Sequence, residues 1–260
     1  MTTQSVQHNL EYNFVTPNEI PDFLESAINV FKKAYPKFLT HDIWTDSDSL
    51  ALFETYPEFQ FGLVEVTTQR VIAQGNCLPL MWEGCFDALP EGGCDWALVK
   101  GFADREQKRK PNVLCAVSIS ILPEYQGKNL SPYMIEYMKE LAKSHSLSAL
   151  IMAARPSLKS LYPLIPIERY ITWRDENRLI FDSWLRVNVK QGAQIAGICF
   201  KSTTIIDTIV GWENRVGMRF PETGDYIIAK GLVPIKIDYS HNIGVYIEPN
   251  VWLYYNLYSE

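Results

Sequence analysis

Apolar positions along this chain switch between two periods, and the switches mark out its elements. Over 17–35, PNEIPDFLESAINVFKKAY, residues Ile20, Phe23, Leu24, Ala27, Ile28 and Phe31 fall three and four apart. That spacing predicts an amphipathic helix. A second, short helix is predicted over Ser47–Tyr56. FQFGLVEV (59–66) and RVIAQGNCLPLMW (70–82) read as strands separated only by Thr67–Gln69, which predicts a hairpin with Gly75 as the site of a bulge. Residues 83–111 contain glycines and the charge run GFADREQKRKP, read as a solvated helix or loop rather than a binding patch.

VLCAVSISILP (113–123) is an almost unbroken apolar run, the pattern of a strand covered on both faces. Met134, Tyr137, Met138 and Leu141 return to helical spacing, giving a helix to about Ser144, and SALIMAA (148–154) is another buried strand. Strand, helix and strand in close succession form a βαβ unit, so these two strands are expected to be parallel. Beyond Pro163 the pattern is more irregular. Residues 184–200 suggest a strand or hairpin, 205–217 a short helix ending at Gly217, and 232–239 and 244–257 two closing strands. No composition break divides the chain, so a single domain over 1–260 is expected.

Composition narrows the chemistry mainly by exclusion. The chain has 260 residues, 47% hydrophobic and 21% charged, with a net charge of −6. An acidic surface argues against sequence-independent nucleic-acid binding, though a local cluster of donors can still hold an anion. The five cysteines include no C-x-x-C pair and the four histidines stand far apart, so neither a disulfide framework nor a metal site is indicated. The start, MTTQSVQHNLEYNF, has no basic or apolar stretch, and no run of 18 apolar residues occurs. A cytoplasmic protein that does not enter the membrane is therefore expected.

One passage invites a chemical reading. In ILPEYQGKNLSPYM (121–134) the chain leaves a strand, turns through QGKN and meets Ser131 and Pro132, residue types suited to a helix N-cap and the first helical position. Gly127 lets a ligand approach the backbone, and Asn129 tolerates positive φ. Successive N–H groups of such a turn, running into a helix N-terminus, make an anion site to which Lys128 and the Ser131 hydroxyl add donors. A plain structural turn gives the same spacing, and on the residues alone both readings stand.

The segment P-E-Y-Q-G-K-N-L-S resembles the pyrophosphate loop of the GNAT superfamily of acyltransferases, which reads Arg/Gln-x-x-Gly-x-Gly/Ala after the fourth strand. Gln126 takes the first position, Asn129 replaces the middle glycine and Ser131 the final small residue. Downstream, R-P-S-L-K-S-L-Y (155–162) is similar to the family's N-x-x-A-x-x-L-Y, with Arg155 for Asn, Leu158 for Ala and the Leu-Tyr end in register. The likeness is best over 113–162 and only architectural beyond 163, where an enlarged C-terminal part is expected to shape the substrate site.

The resemblance implies an α/β fold of the α+β type: a central mixed sheet, flanked by helices, whose parallel fourth and fifth strands splay apart. It implies acetyl-CoA or another acyl-CoA as co-substrate, with the pantetheine arm along the backbone of Ile119, Ile121 and Leu122. The pyrophosphate would lie on the amides of Gln126, Gly127, Lys128, Asn129, Leu130 and Ser131, with Arg155 nearby. Tyr162 would act as general acid on the departing thiolate. The fourth strand contains no carboxylate, so Glu65 and His145 are the candidate bases, with a water relay as the other route.

The implied activity is acyl-CoA-dependent acyltransfer, N-acetylation of a small metabolite or peptide amine. Transfer to a carrier-protein thiol, decarboxylation of a bound malonyl group and non-catalytic acyl-CoA binding are the alternatives; a homodimer is one option for assembly. Among the remaining residues, Cys115 reads as a small buried hydrophobe. Ser118 and Ser120 face either the cleft or one side of the sheet. His41 and His241 form no triad with any serine, and VWLYYNLY reads as sheet packing or as the wall of an acceptor pocket.

Overall fold

The computed structural model describes residues 11–40 and 47–258. Its elements in chain order are β1 (Tyr12–Val15), α1 (Phe23–Ala34), α2 (Lys37–Thr40), α3 (Ser47–Thr55), β2 (Gln60–Glu65), β3 (Arg70–Leu80), α4 (Gly93–Glu106), β4 (Val113–Ile121), α5 (Ser131–Ser144) and β5 (Ala149–Ala154). There follow α6 (Ile167–Tyr170), α7 (Ser183–Lys190), β6 (Gln194–Asp207), α8 (Ile209–Val216), β7 (Gly224–Tyr226), β8 (Ile235–Asp238) and β9 (Ile243–Asn256). All nine strands join one sheet in the order β1-β2-β3-β4-β5-β9-β8-β7, with β6 also paired to β9. Only β4 and β5 run parallel, joined by α5 as the βαβ pattern requires.

Helices cover both faces. A Cβ at Gly62 would touch Phe23 of α1, and Leu78 meets Gly101 of α4, so the Gln74–Asn76–Leu78 side of β3 faces α1 and α4. A Cβ at Gly75 would lie 2.2 Å from Phe61 and 2.9 Å from Met138, so the opposite side faces α5. That crowding is why position 75 is glycine. The bulge expected there falls elsewhere: the β3–β4 register shifts between Asn76 and Cys77, and the β2–β3 register between Leu63 and Val64. Gly75 itself pairs regularly with Phe61 and Ile119.

The main core gathers Phe61, Leu78, Leu114, Met134, Met138, Ile151 and Trp252 around the central strands. A second cluster holds Phe38, Trp212, Phe220 and Tyr246 at the β7–β9 end. Two expectations for the C-terminal part are corrected. Residues 183–190 are helical, not extended, because the Asp182 side chain caps the amides of Trp184 and Leu185. The helix expected over 205–217 starts at Ile209, because β6 continues to Asp207; Thr208 caps it and Gly217 closes it at φ 65°. The pattern had given no sign of β1 or β7. Among the described residues no helix is long and apolar enough to cross a membrane, and no group of three or more His, Cys, Asp or Glu could hold a metal.

Candidate active site

β4 and β5 pair only from Val113↔Ala149 to Ala116↔Met152. Beyond that point β4 continues to Ile121 beside β3, while Ala153 and Ala154 pair with β9. The sheet therefore forks. Antiparallel neighbours alternate between bonded and non-bonded pairs, and the Leu122 amide donates to Ile72 O at 2.9 Å. Counting back in register, Ser120 and Ser118 bond to β3, whereas Ile119 and Ile121 turn their N–H and C=O groups into the fork. Ile121 O already accepts from Gln126 Nε2 at 3.0 Å. Leu122, expected on this edge, is fully buried and gives its amide to β3.

At the open end of the fork the chain turns into α5 with Gly127 at φ 77° and Asn129 at φ 60°. The Gln126 amide donates to Pro123 O. The next five, Gly127 to Ser131, find no acceptor among the described residues. Leu130, not Ser131, is the N-cap, so Ser131 lies in the first turn and adds its amide to the row. A Cβ at Gly127 would meet nothing within 4 Å, so the turn is open at that residue. Lys128 Nζ stands 4.4 Å from the centroid of the Tyr125 ring, which parks a positive charge beside the turn. Consecutive free amides at the start of a fourteen-residue helix present partial positive charge to an anion.

Tyr162 follows the short turn Lys159–Leu161 just past β5. Its ring packs on Trp173 at 4.9 Å and on Phe181 at 5.8 Å. Its hydroxyl has no hydrogen-bond partner among the described residues. Lys159 is fully buried and holds this turn, donating to Tyr162 O at 2.8 Å and to Leu232 O at 2.7 Å. Burial lowers its pKa to about 8.

The two candidate bases lie elsewhere. Glu65 sits at the β2–β3 turn, accepts from Thr68 Oγ1 at 2.7 Å, and is pulled below the usual carboxylate range by hydrogen bonds from Thr68 and Tyr125. His145 is exposed at the end of α5, with Nδ1 2.9 Å from Leu141 O. Arg155 is tied by two bonds of 2.8 and 3.0 Å to Glu248 and by a third to Lys230 O. Cys115 is buried, with its thiol pushed well above the usual range. His241 pairs with Asp238 on the surface, and His41 lies outside the described residues.

No protein-family model matches the chain. An arginine N-acetyltransferase (avaD) of Aspergillus versicolor is 27% identical over 271 residues, covering 93% of each chain. The loading GNATL domain of CurA from Lyngbya majuscula superposes with a TM-score of 0.61 at 17% identity, over 95% of this chain and 98% of that one. The GphF GNAT-like decarboxylase, in complex with isobutyryl-CoA, gives 0.59 at 10% identity over the same shares. The chain has the GNAT fold.

Within this fold the sequence patterns missed a polar lining on the α1–α4 face. Gln74 Nε2 donates to Ser118 and Ser120 Oγ, each at 3.1 Å, and Ser118 donates to Asn76 Oδ1. The two serines are therefore buried partners of β3 side chains. Across the fork, Glu248 and Asn250 stand on one face of β9, Asn250 donating to Ser202 Oγ at 2.9 Å. Asp95, near the start of α4, accepts from the Thr204 amide at 2.9 Å. The available signal was the pair Glu248 and Asn250, two polar residues interrupting the apolar alternation of GVYIEPNVWLYY. The aromatic tail itself is packing: Trp252 bonds to Pro90 O and Tyr255 to Asn188.

Proposed function

We propose that this GNAT protein transfers an acetyl group directly from acetyl-CoA to the amine of a small metabolite. The observation that carries the reading is the row of five free amides, Gly127 to Ser131, at the open end of the fork. A diphosphate satisfies those donors, and an amide-bearing arm satisfies the Ile119 N–H and C=O and the Ile121 N–H, which no strand reaches. Both demands fit the residues present. The thioester supplies the activated acyl group; the protein supplies position and a proton.

Tyr162 is the proton donor to the departing thiolate, its free hydroxyl held on the Trp173 and Phe181 rings beside the end of β5. The Lys159 bonds fix the turn that carries it. Glu65 is not carried forward as the base: an exposed carboxylate with lowered proton affinity at a hairpin turn is poorly suited to take a proton near neutrality. The fungal relative acetylates arginine by its name, which supports an amine acceptor of amino-acid size and makes arginine the first acceptor to try.

The test is acetyl-CoA-dependent release of free thiol with a panel of free amines, the acetylated product identified by mass spectrometry. Thiol release that tracks formation of an N-acetylated amine supports the proposal. Acetyl loading of a carrier-protein thiol, with no amine acetylated, would replace it by thiol transfer.

A further inference from the structure

Acyl transfer leaves one set of buried groups without a task. Asn250 is 5% exposed and its Oδ1 has no hydrogen-bond donor. Gln74 Oε1, on the same sheet face across the fork, is likewise buried without a donor. Both orphans are acceptors, and leaving such an atom unpaired costs free energy unless a donor arrives. Two residues from Asn250, Glu248 is paired with Arg155, a neutral combination. Asp95 then remains as the uncompensated charge: one oxygen takes the Thr204 amide and the other has no donor among the described residues.

This polar part of the α1–α4 face thus offers acceptors and one net negative charge. Among the described residues nearby, the Tyr35 hydroxyl and the Cys94 thiol are neutral near pH 7, because burial pushes both up to about 12. Asn250 lies one residue past the Ala154↔Val251 pair and three past Met152↔Leu253, the level at which the fork opens. At the rise of a strand that is about 10 Å from the fork.

We infer that this polar patch, where Ser202 Oγ accepts from both the Cys94 amide and Asn250 Nδ2, binds the cationic end of the acceptor, a guanidinium or ammonium group, with Asp95 as its counter-charge and Asn250 Oδ1 as a further acceptor. The inference rests on the acyl-transfer reading and names the substrate class of that site. Asp95 is exposed, yet protein packed around it partly desolvates its carboxylate. That surrounding, with the Glu248 charge beside it, raises its pKa to about 6. A bound cation relieves both effects. Asp95 is a specificity residue, separate from the proton donor Tyr162.

The test compares L-arginine with L-citrulline, which keeps the shape and replaces the guanidinium by a neutral urea, in the wild type and in Asp95→Asn. The substituted amide oxygen still accepts from Thr204, so the fold is kept, and calorimetric titration with acetyl-CoA checks the variant. The wild type should prefer arginine by about 100-fold in kcat/KM. Asp95→Asn should lower the arginine value by on the order of 10- to 100-fold, through KM, with citrulline and acetyl-CoA unaffected. Asp95→Glu should recover part of the loss.

Equal use of arginine and citrulline by the wild type, or an unchanged ratio in Asp95→Asn, overturns the inference. So does acetyl-CoA binding with turnover of neither amine. Failure to bind acetyl-CoA instead removes the acyl-transfer reading, and the patch is then judged by calorimetry with arginine alone, where loss of binding in Asp95→Asn upholds it and no binding refutes it.

Discussion

Replacing Arg155 by leucine separates two roles for that side chain. The family resemblance groups it with the acyl-CoA contacts, whereas the structure ties it to Glu248 through two bonds of 2.8 and 3.0 Å. The side chains are 17% and 2% exposed. Arg155→Leu leaves the Glu248 carboxylate buried with, among the described residues, only the Tyr246 hydroxyl, at 2.6 Å, as a close donor. Breaking a fully buried pair costs about 3–5 kcal/mol; with Arg155 partly in water the expected loss is about 2–4 kcal/mol. For a chain of this size that lowers Tm by roughly 5–15 °C. Glu248→Gln added to the same chain removes the stranded charge and should recover at least about 1 kcal/mol, a coupling that a double-mutant cycle reads directly. The assay is denaturant unfolding of the wild type, both single variants and the double, with acetyl-CoA affinity measured in parallel. The reasoning is refuted if Arg155→Leu keeps its stability and loses acetyl-CoA, or if the two substitutions are additive.

Three further outcomes follow from the site and the core. Tyr162→Phe keeps the ring contacts to Trp173 and Phe181 and removes the proton; kcat should fall by on the order of 100-fold with acetyl-CoA affinity and Tm unchanged. The kcat/KM of the wild type for arginine should decline as pH falls through about 6, because Asp95 becomes protonated there and loses its charge. Among the described residues the titratable groups beside Asp95 do not mask this limb: Cys94 stays neutral, and Glu248 is neutralised by Arg155. In Asp95→Asn the limb should vanish from the pH–rate profile. Gly75→Ala pushes a methyl into the Phe61 ring at 2.2 Å and should cost about 1–3 kcal/mol in denaturant unfolding, with acetyl-CoA affinity unchanged.

How much of this was legible beforehand depended on whether the deciding interactions were local. The β4–turn–α5–β5 unit was readable because apolar period, turn residues and helix-start chemistry agree within one short stretch. Residues 183–190 misled because V-N-V alternates like a strand, and the deciding contact is the Asp182 cap. The Ser131 cap was misplaced by one residue, since the turn itself positions the helix start. Gly75 was read as a bulge because packing across a sheet leaves no local mark, although the Phe61 ring explains it. The acidic patch was invisible for a related reason. Asp95 and Glu248 are far apart in sequence and meet only because β6 and β9 pair beside α4. Arg155 carried a motif position, but its partner lies in the last strand.

Calorimetric titration with acetyl-CoA of the wild type and of Lys128→Asp/Asn129→Asp tests the central claim most directly. Aspartate, like asparagine, tolerates the positive φ of position 129, so the turn survives while two carboxylates face any bound diphosphate. The account predicts saturable one-site binding by the wild type, weakened about 100-fold or more in the variant at unchanged Tm. A wild type that fails to bind acetyl-CoA, or a variant that binds it equally well, would contradict it.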